Sequence, residues 1–210
     1  MKDYYTILET METEDDIKKS RFIARIYPVS TEEEVAERVA ENRKEHYKAT
    51  HVCYAYVLNT DPVRQKANDD GEPSGTAGNP ILEVIHQFHL TDVLVVVIRY
   101  FGGTKLGAGG LIRAYSGVAT QVIESTPIVK MQVSTHVRVR LHYNLYGSYS
   151  FYLSGAGYTP FEEIFEEDVC LALQIPSDRL EDFIAQTVDE TSGQAEIEEL
   201  EESYVAVALS

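Results

Sequence analysis

Between Val95 and Tyr115 the chain reads VVVIRYFGGTKLGAGGLIRAY. An apolar run ends in Arg99 and Tyr100, and five glycines then follow within nine residues: Gly102, Gly103, Gly107, Gly109 and Gly110. A helix-like pattern begins at once. Glycine permits positive φ and close approach of the backbone to a ligand. A helix N-terminus presents unpaired N–H groups at the positive end of the helix dipole. Arg99, Lys105 and Arg113 add cations on both sides of the turn. Together these features read as a cradle for an anion, either phosphate or carboxylate. The plainer reading is a tight strand-to-helix turn with surface cations. Neither standard nucleotide motif fits. A Walker loop needs Lys-Ser/Thr after its last glycine, but Ala108 and Gly109 follow Gly107. A dinucleotide fingerprint begun at Gly107 would need Gly or Ala where Ile112 stands.

The second informative stretch is Lys66–Pro80, KANDDGEPSGTAGNP. Asp69, Asp70 and Glu72 stand in a Gly/Pro turn just before Ser74, Gly75 and Thr76. Three acids could hold Mg²⁺ or Ca²⁺, or one could act as a general base. EF-hand spacing is absent. The same residues could form an Asp-Gly turn that caps the next helix. They could also pair with Arg99 or Arg113 and order the cradle. Other candidates are weaker. His86 and His89 lack HExxH spacing and a third ligand. His51 and Cys53 share a strand face, where packing is a simpler role than a catalytic dyad. Tyr143, Tyr146, Tyr149 and Tyr152 could stack on bases, or form the core stripe of a small domain. No metal site and no cofactor is expected. Cys53 and Cys170 form no CxxC pair and read as two buried thiols in a reducing compartment.

Local patterns name the elements that must position these residues. Phe22–Val29 alternates like a strand. Ser30 with Glu33, or Thr31 with Glu34, makes a capping box for a helix whose inward stripe would be Val35, Ala36, Val39 and Ala40. Thr50–Leu58 reads as a second strand, with His51, Cys53, Ala55 and Val57 on one face. Asp61–Thr76 shows no periodicity. Pro80–His89 reads as a helix with Ile81, Leu82, Ile85 and Phe88 inward. Val93–Ile98 is apolar throughout, as in a strand covered on both faces. Leu111–Glu124 is helical, with Leu111, Tyr115, Val118 and Val122 inward. A boundary near Ser125-Thr126-Pro127 gives two domains, 1–127 and 128–210. The second reads as strand 131–141, helix 143–154, strands 158–165 and 168–175, helix 178–190 with an N-cap at Pro176-Ser177-Asp178, and strand 195–209. Glu196–Glu202 then forms a solvated face or edge guard. The order βαββαβ is ferredoxin-like.

The chain has 210 residues, 44% of them hydrophobic and 25% charged, which is globular composition. No apolar run approaches the length of a membrane helix, and no secretory signal opens the chain, so cytoplasmic residence is expected. The net charge of −16 argues against a general nucleic-acid coat. It is uneven, however. Residues 1–127 hold 14 bases and 19 acids, whereas 128–210 hold 4 bases and 15 acids. An anion is therefore expected to meet the first domain.

Several strings resemble the IMPACT family and its bacterial YigZ-like members. They are Lys19-Ser20-Arg21-Phe22-Ile23, Ala49-Thr50-His51, Asn68 through Gly78, Arg99-Tyr100-Phe101-Gly102-Gly103, Leu106 through Leu111, and Arg113-Ala114-Tyr115. The resemblance implies an α+β protein. Its first domain would have the ribosomal-protein-like β/α fold shared with translation factors and GHMP-type kinases. The second would be ferredoxin-like, similar to the last domain of elongation factor G. Eukaryotic relatives regulate translation initiation, and nucleic-acid binding is suggested for bacterial ones. No metallopeptidase ligand set is present. The resulting expectation is a translation-associated regulator that binds RNA or the ribosome. Its anion site would be Arg99, Tyr100, Gly102, Gly103, Lys105, Gly107, Gly109, Gly110 and Arg113, supported by Asp69, Asp70, Glu72, Ser74 and Thr76. The alternative is an enzyme acting on a small phosphate-bearing substrate, with or without Mg²⁺. A third reading is a protein-interaction module whose acidic second domain faces a basic partner.

Overall fold

A computed structural model describes residues 1–209. They form two compact units, one spanning 4–130 and the other 131–207 together with the first three residues.

The apolar run Val93–Ile98 lies in the middle of a five-stranded antiparallel sheet. The first unit contains β1 (Tyr4–Ile7), β2 (Met11–Ile17), β3 (Ser20–Pro28), α1 (Glu32–Glu45), β4 (His51–Leu58), β5 (Arg64–Asn68), α2 (Gly78–Gln87), β6 (Val93–Tyr100) and α3 (Ala108–Glu124). Its sheet order is β2-β3-β6-β4-β5. Strand alternation sends Val93, Val95 and Val97 to one face and Leu94, Val96 and Ile98 to the other. Helices α2 and α3 cover the first face with Ile81, Val84, Ile85, Leu111, Tyr115, Val118 and Val122. Val35 and Val39 of α1 cover the second. Burial on both faces accounts for the unbroken apolar sequence of β6.

Of the two capping pairs, Thr31 and Glu34 form the box: the Glu34 N–H donates to Thr31 Oγ1 at 3.2 Å, and the Ser30 N–H donates to Glu34 Oε2 at 2.7 Å. The inward stripe of α1 differs from expectation. Ala36 and Ala40 are exposed, and Asn42 is buried instead. Asn42 is satisfied by its Nδ2, which donates to Tyr27 Oη at 2.9 Å and to the Arg38 carbonyl at 2.8 Å. Two strands had no apolar signal, β2 (METEDDI) and β5 (RQKAN). Both are sheet edges, held by backbone pairing with β3 and β4.

The second unit holds β7 (Ile128–Leu141) from Met131 on, α4 (Tyr143–Ala156), β8 (Glu162–Phe165), β9 (Val169–Pro176), α5 (Leu180–Glu190) and β10 (Glu196–Ala208) as far as Val207. Its strand order is β8-β9-β7-β10, with β9 antiparallel to both β7 and β8. This is the ferredoxin-like arrangement, and the whole is an α+β fold. Val137, Val139 and Leu141 pack with Leu171, Leu173, Tyr149, Leu153 and Phe183. Two local expectations are corrected. Strand β8 begins at Glu162, since 158–161 lie outside it. Ser177 does not cap α5, because residues 177–179 form a 3₁₀ turn and Ser177 Oγ bonds Thr135 Oγ1 at 3.0 Å. Of the tyrosine series, Tyr149 is fully buried and bonded to Thr187 Oγ1 at 2.8 Å, while Tyr143 is exposed. No helix among the described residues is long and apolar enough to cross a membrane.

Candidate anion-binding site

The register of the first sheet puts Phe22, Arg99 and His51 side by side at one end of β3, β6 and β4. All three lie on the α2/α3 face, the face of Val97 and Cys53. Arg99 is therefore a charge in core surroundings, with its side chain 5% exposed. Its Nη1 lies 2.5 Å from Glu72 Oε1, on a side chain only 3% exposed. Tyr115 Oη donates to the same oxygen at 2.8 Å, and Arg99 Nη2 donates to Ser20 Oγ at 3.3 Å. The Arg99 guanidinium also sits 5.5 Å from the Phe22 ring centre and 5.4 Å from that of Phe101. Phe22 meets Tyr115 edge-on at 5.4 Å. The close contact and the bonds from Tyr115 and to Ser20 offset part of the cost of burying the two charges, while Arg99 Nε is left without a partner. Glu72 is thus the member of the acidic turn that orders the arginine, one of the arrangements open from sequence.

The other two acids are committed elsewhere. Asp69 accepts from the N–H groups of Gly75 at 2.8 Å, Ala77 at 3.1 Å and Gly78 at 2.8 Å. It therefore caps α2 from outside the helix, in the absence of a side-chain bond from Ala77 at the N-cap position. Burial pushes its pKa up, but the three backbone donors outweigh that and hold it below the ordinary aspartate value. Asp70 accepts from Arg43 Nη2 at 2.6 Å and from the Val52 N–H at 2.7 Å. The three carboxylates do not converge on one point. Thr76 Oγ1 donates to the Pro73 carbonyl at 2.6 Å, and Ser74 is exposed.

A depressed folded-state pKa gives stability that is present above the unfolded pKa and lost as pH falls through the folded one. Asp69→Ala should therefore lower stability by about 1–2 kcal/mol at neutral pH. The difference from wild type should shrink toward the acid end of the folded range. Urea midpoints across that range check both the size and the sign.

A cavity of about 410 Å³ opens between the 101–111 turn and the end of β4. His51, Glu72 and Arg99 form its polar end; Pro73, Phe101, Leu106 and Leu111 line it with apolar surface; Lys105, Gly107 and Ala108 bring it to the start of α3. Helix α3 has Gly107 at its N-cap position with φ 73°, and no side chain caps it. Its first-turn N–H groups have no intrahelical partner. Gly103 also has positive φ, 85°.

The expected residues thus divide. Arg99, Lys105 and Gly107 meet at one cavity, with Glu72 at its polar end. Gly109 and Gly110 lie in the first turn of α3. Gly102 serves a packing role, its backbone lying against Lys19. Two residues are corrected out of the cradle. Tyr100 lies on the opposite face of the sheet, where its hydroxyl meets His46 Nδ1 at 2.8 Å. Arg113 lines a separate groove with Glu83, Gln87 and Ser116. Arg99 belongs to the cavity but is not a free cation. His51, for which packing was the simpler expectation, lines the cavity, and its Nδ1 meets the Asp70 carbonyl at 2.8 Å. Cys53 is no nucleophile. Burial pushes its thiol up to about 12, and its Sγ is bonded to the Asp69 carbonyl at 3.0 Å. His86 and His89 are exposed, as solvated histidines.

The fold and the site define a class of protein: a three-layer unit carrying a glycine-turn cavity, followed by a ferredoxin-like unit. Comparison with known proteins gives that class its family. The Impact N-terminal domain matches residues 18–123. The IMPACT family member YvyE of Bacillus subtilis (strain 168) is 38% identical over 210 residues, covering 100% of this chain and 97% of that protein. The IMPACT family member YigZ of Escherichia coli (strain K12) is 30% identical over 190 residues, covering 90% of this chain and 93% of that one. A Protein IMPACT homolog of Dictyostelium discoideum is 36% identical over 96 residues, 43% of this chain and 27% of that protein. A crystal structure of a hypothetical protein superposes with a TM-score of 0.62 at 28% identity, covering 97% of this chain and all of that one. The chain belongs to the IMPACT family.

Proposed function

We propose that this protein is a translation-associated regulator whose first unit holds RNA phosphate in the glycine-turn cavity. The observation that carries the reading is the meeting of Lys105 with the uncapped start of α3 at one concave site. A lysine and a set of unpaired helix N–H groups both favour an anion, and a recess limits the water that competes for them. Family membership supports the translational context. The second unit holds most of the excess acid of the chain and so leaves phosphate binding to the first.

The test is co-sedimentation of the full chain with ribosomes at low and moderate salt. Lys105→Glu should weaken association about tenfold at low salt and flatten its salt dependence. Arg113→Glu, outside the cavity, should stay within about twofold of wild type. Association that ignores Lys105 but fails with Arg113 would move the binding surface to the α2/α3 groove.

A second reading is favoured by one observation. Glu72 Oε2 stands 3.7 Å from His51 Nε2 at the polar end of the recess. A histidine held by its Nδ1 beside a buried carboxylate could move a proton on a small phosphate-bearing substrate. A metabolite-dependent rise in melting temperature without ribosome association would favour that enzyme.

A further inference from the structure

The polar end of the cavity offers the acceptors of Glu72 and His51, beside the Thr50 hydroxyl that accepts from the Phe101 N–H. Glu72 Oε1 is taken by Arg99 and Tyr115, whereas Oε2 accepts no hydrogen bond and faces His51 Nε2 at 3.7 Å. The Asp70 carbonyl opposite His51 Nδ1 can only accept, so the neutral ring carries its proton on Nδ1 and presents Nε2 as an acceptor. The Arg99 guanidinium is turned to Glu72 and Ser20, and its unpartnered Nε is sealed from solvent. An anion placed here would meet the Glu72 carboxylate. A group with N–H donors would meet two acceptors side by side. At the other end, Lys105 and the start of α3 supply donors and positive charge. The recess is therefore polarised along its length, with apolar walls between.

We propose that it takes one nucleotide unit, base inward and phosphate outward. The proposal rests on the anion-site reading above and adds the identity of the inner group. The base edge would donate to Glu72 Oε2 and His51 Nε2, with its ring against Phe101 and Leu111. The phosphate would lie at Lys105 and the first-turn N–H groups of α3. A cavity of about 410 Å³ is within the ordinary size of small-ligand sites. Guanine fits this floor best, because N1–H and the 2-amino group are adjacent donors on its pairing edge. Adenine and cytosine offer one amino group beside an acceptor. Uracil offers a single N–H between two carbonyls, which would oppose the protein's acceptors. A buried acceptor left without its donor is the usual source of such discrimination.

The unit could be a free nucleotide or part of a single strand, and the experiment separates the two. Titration calorimetry of the full chain would compare guanosine, inosine and uridine 5′-monophosphates with ribose 5-phosphate. A short uridine-rich RNA carrying one guanosine would be compared with its all-uridine control. Guanosine should bind about tenfold more tightly than uridine in whichever format binds, with inosine between, since it lacks only the 2-amino donor. His51→Phe should compress that ratio toward one, and an unchanged ratio would remove His51 from the base contact. Binding by the monophosphates identifies a free nucleotide; binding only by the RNA identifies a strand. Equal affinity for guanosine, uridine and ribose 5-phosphate would overturn the base assignment and leave the anion site standing. No binding in either format, with wild-type ribosome association also absent, would overturn both.

Discussion

Glu72→Ala is expected to destabilise the first unit by about 3–5 kcal/mol, because it strands the Arg99 charge in a buried site. Among the described residues, Arg99 is paired with one carboxylate, that of Glu72. Its other bonded partner is a serine hydroxyl at 3.3 Å, and its flat faces lie near Phe22 and Phe101. Tyr115 loses its acceptor at the same time; burial pushes its own pKa up, so it does not take over as an anion. Against a typical domain stability of about 5–15 kcal/mol, this is a large fraction. For a chain of this length the melting temperature should fall by about 10 °C.

The pair predicts its own rescue. Glu72→Ala with Arg99→Met removes both charges and keeps an unbranched side chain beside the aromatic rings. The double variant should recover much of the loss, since replacing a buried pair by apolar groups is often close to neutral. Thermal and urea unfolding of the two single variants and the double variant check this. A double variant no more stable than Glu72→Ala would show that the carboxylate acts through Tyr115 rather than through Arg99. Ligand binding separates stability from function: a rescued fold whose guanosine preference is gone would place Glu72 in the recess as well as in the core.

How much of this could be read from sequence depends on whether a residue's role is local. The Thr31/Glu34 box, the doubly covered β6 and the stripe of Leu111, Tyr115, Val118 and Val122 are written in spacings of a few residues. The edge strands β2 and β5 are not, since their pairing with β3 and β4 uses backbone groups that any residue carries. Two misplacements had signals available. Tyr100 follows Arg99, and strand alternation alone sends neighbours to opposite faces. Arg113 stands two residues after the inward Leu111, about 200° round a helix at 100° per residue. The Glu72–Arg99 pair spans 27 positions and had no local signal beyond opposite charge. His51 lines the cavity because the sheet register sets it beside Arg99, and register is a long-range property.

Gly102→Ala should be the most damaging single-methyl substitution in the glycine turn, costing about 3 kcal/mol or more. The reason is contact rather than torsion. A Cβ at Gly102 would lie 1.6 Å from the Lys19 carbonyl oxygen and 2.2 Å from its carbon. Both are backbone atoms in the β2–β3 turn, where Lys18 and Lys19 have φ of 47° and 68°. That turn joins two strands in register up to Ile17 and Ser20, so it cannot move aside without breaking the pairing. The strain would fall on the other side, pulling Phe101 from Thr50 Oγ1, now 3.0 Å from its N–H, and loosening the aromatic wall beside Arg99. Two neighbours serve as controls. Gly103 has open space around a Cβ but a φ of 85°, so Gly103→Ala should cost about 1–2 kcal/mol from backbone conformation alone. Gly109 is helical with only Arg113 Nη1 nearby at 3.8 Å, so Gly109→Ala should stabilise by about 0.5–1 kcal/mol. Urea midpoints for the three variants should therefore fall in the order Gly109→Ala, wild type, Gly103→Ala, Gly102→Ala. A Gly102→Ala midpoint at or above that of Gly103→Ala would mean that the close approach to Lys19 is not what the fold relies on at this turn.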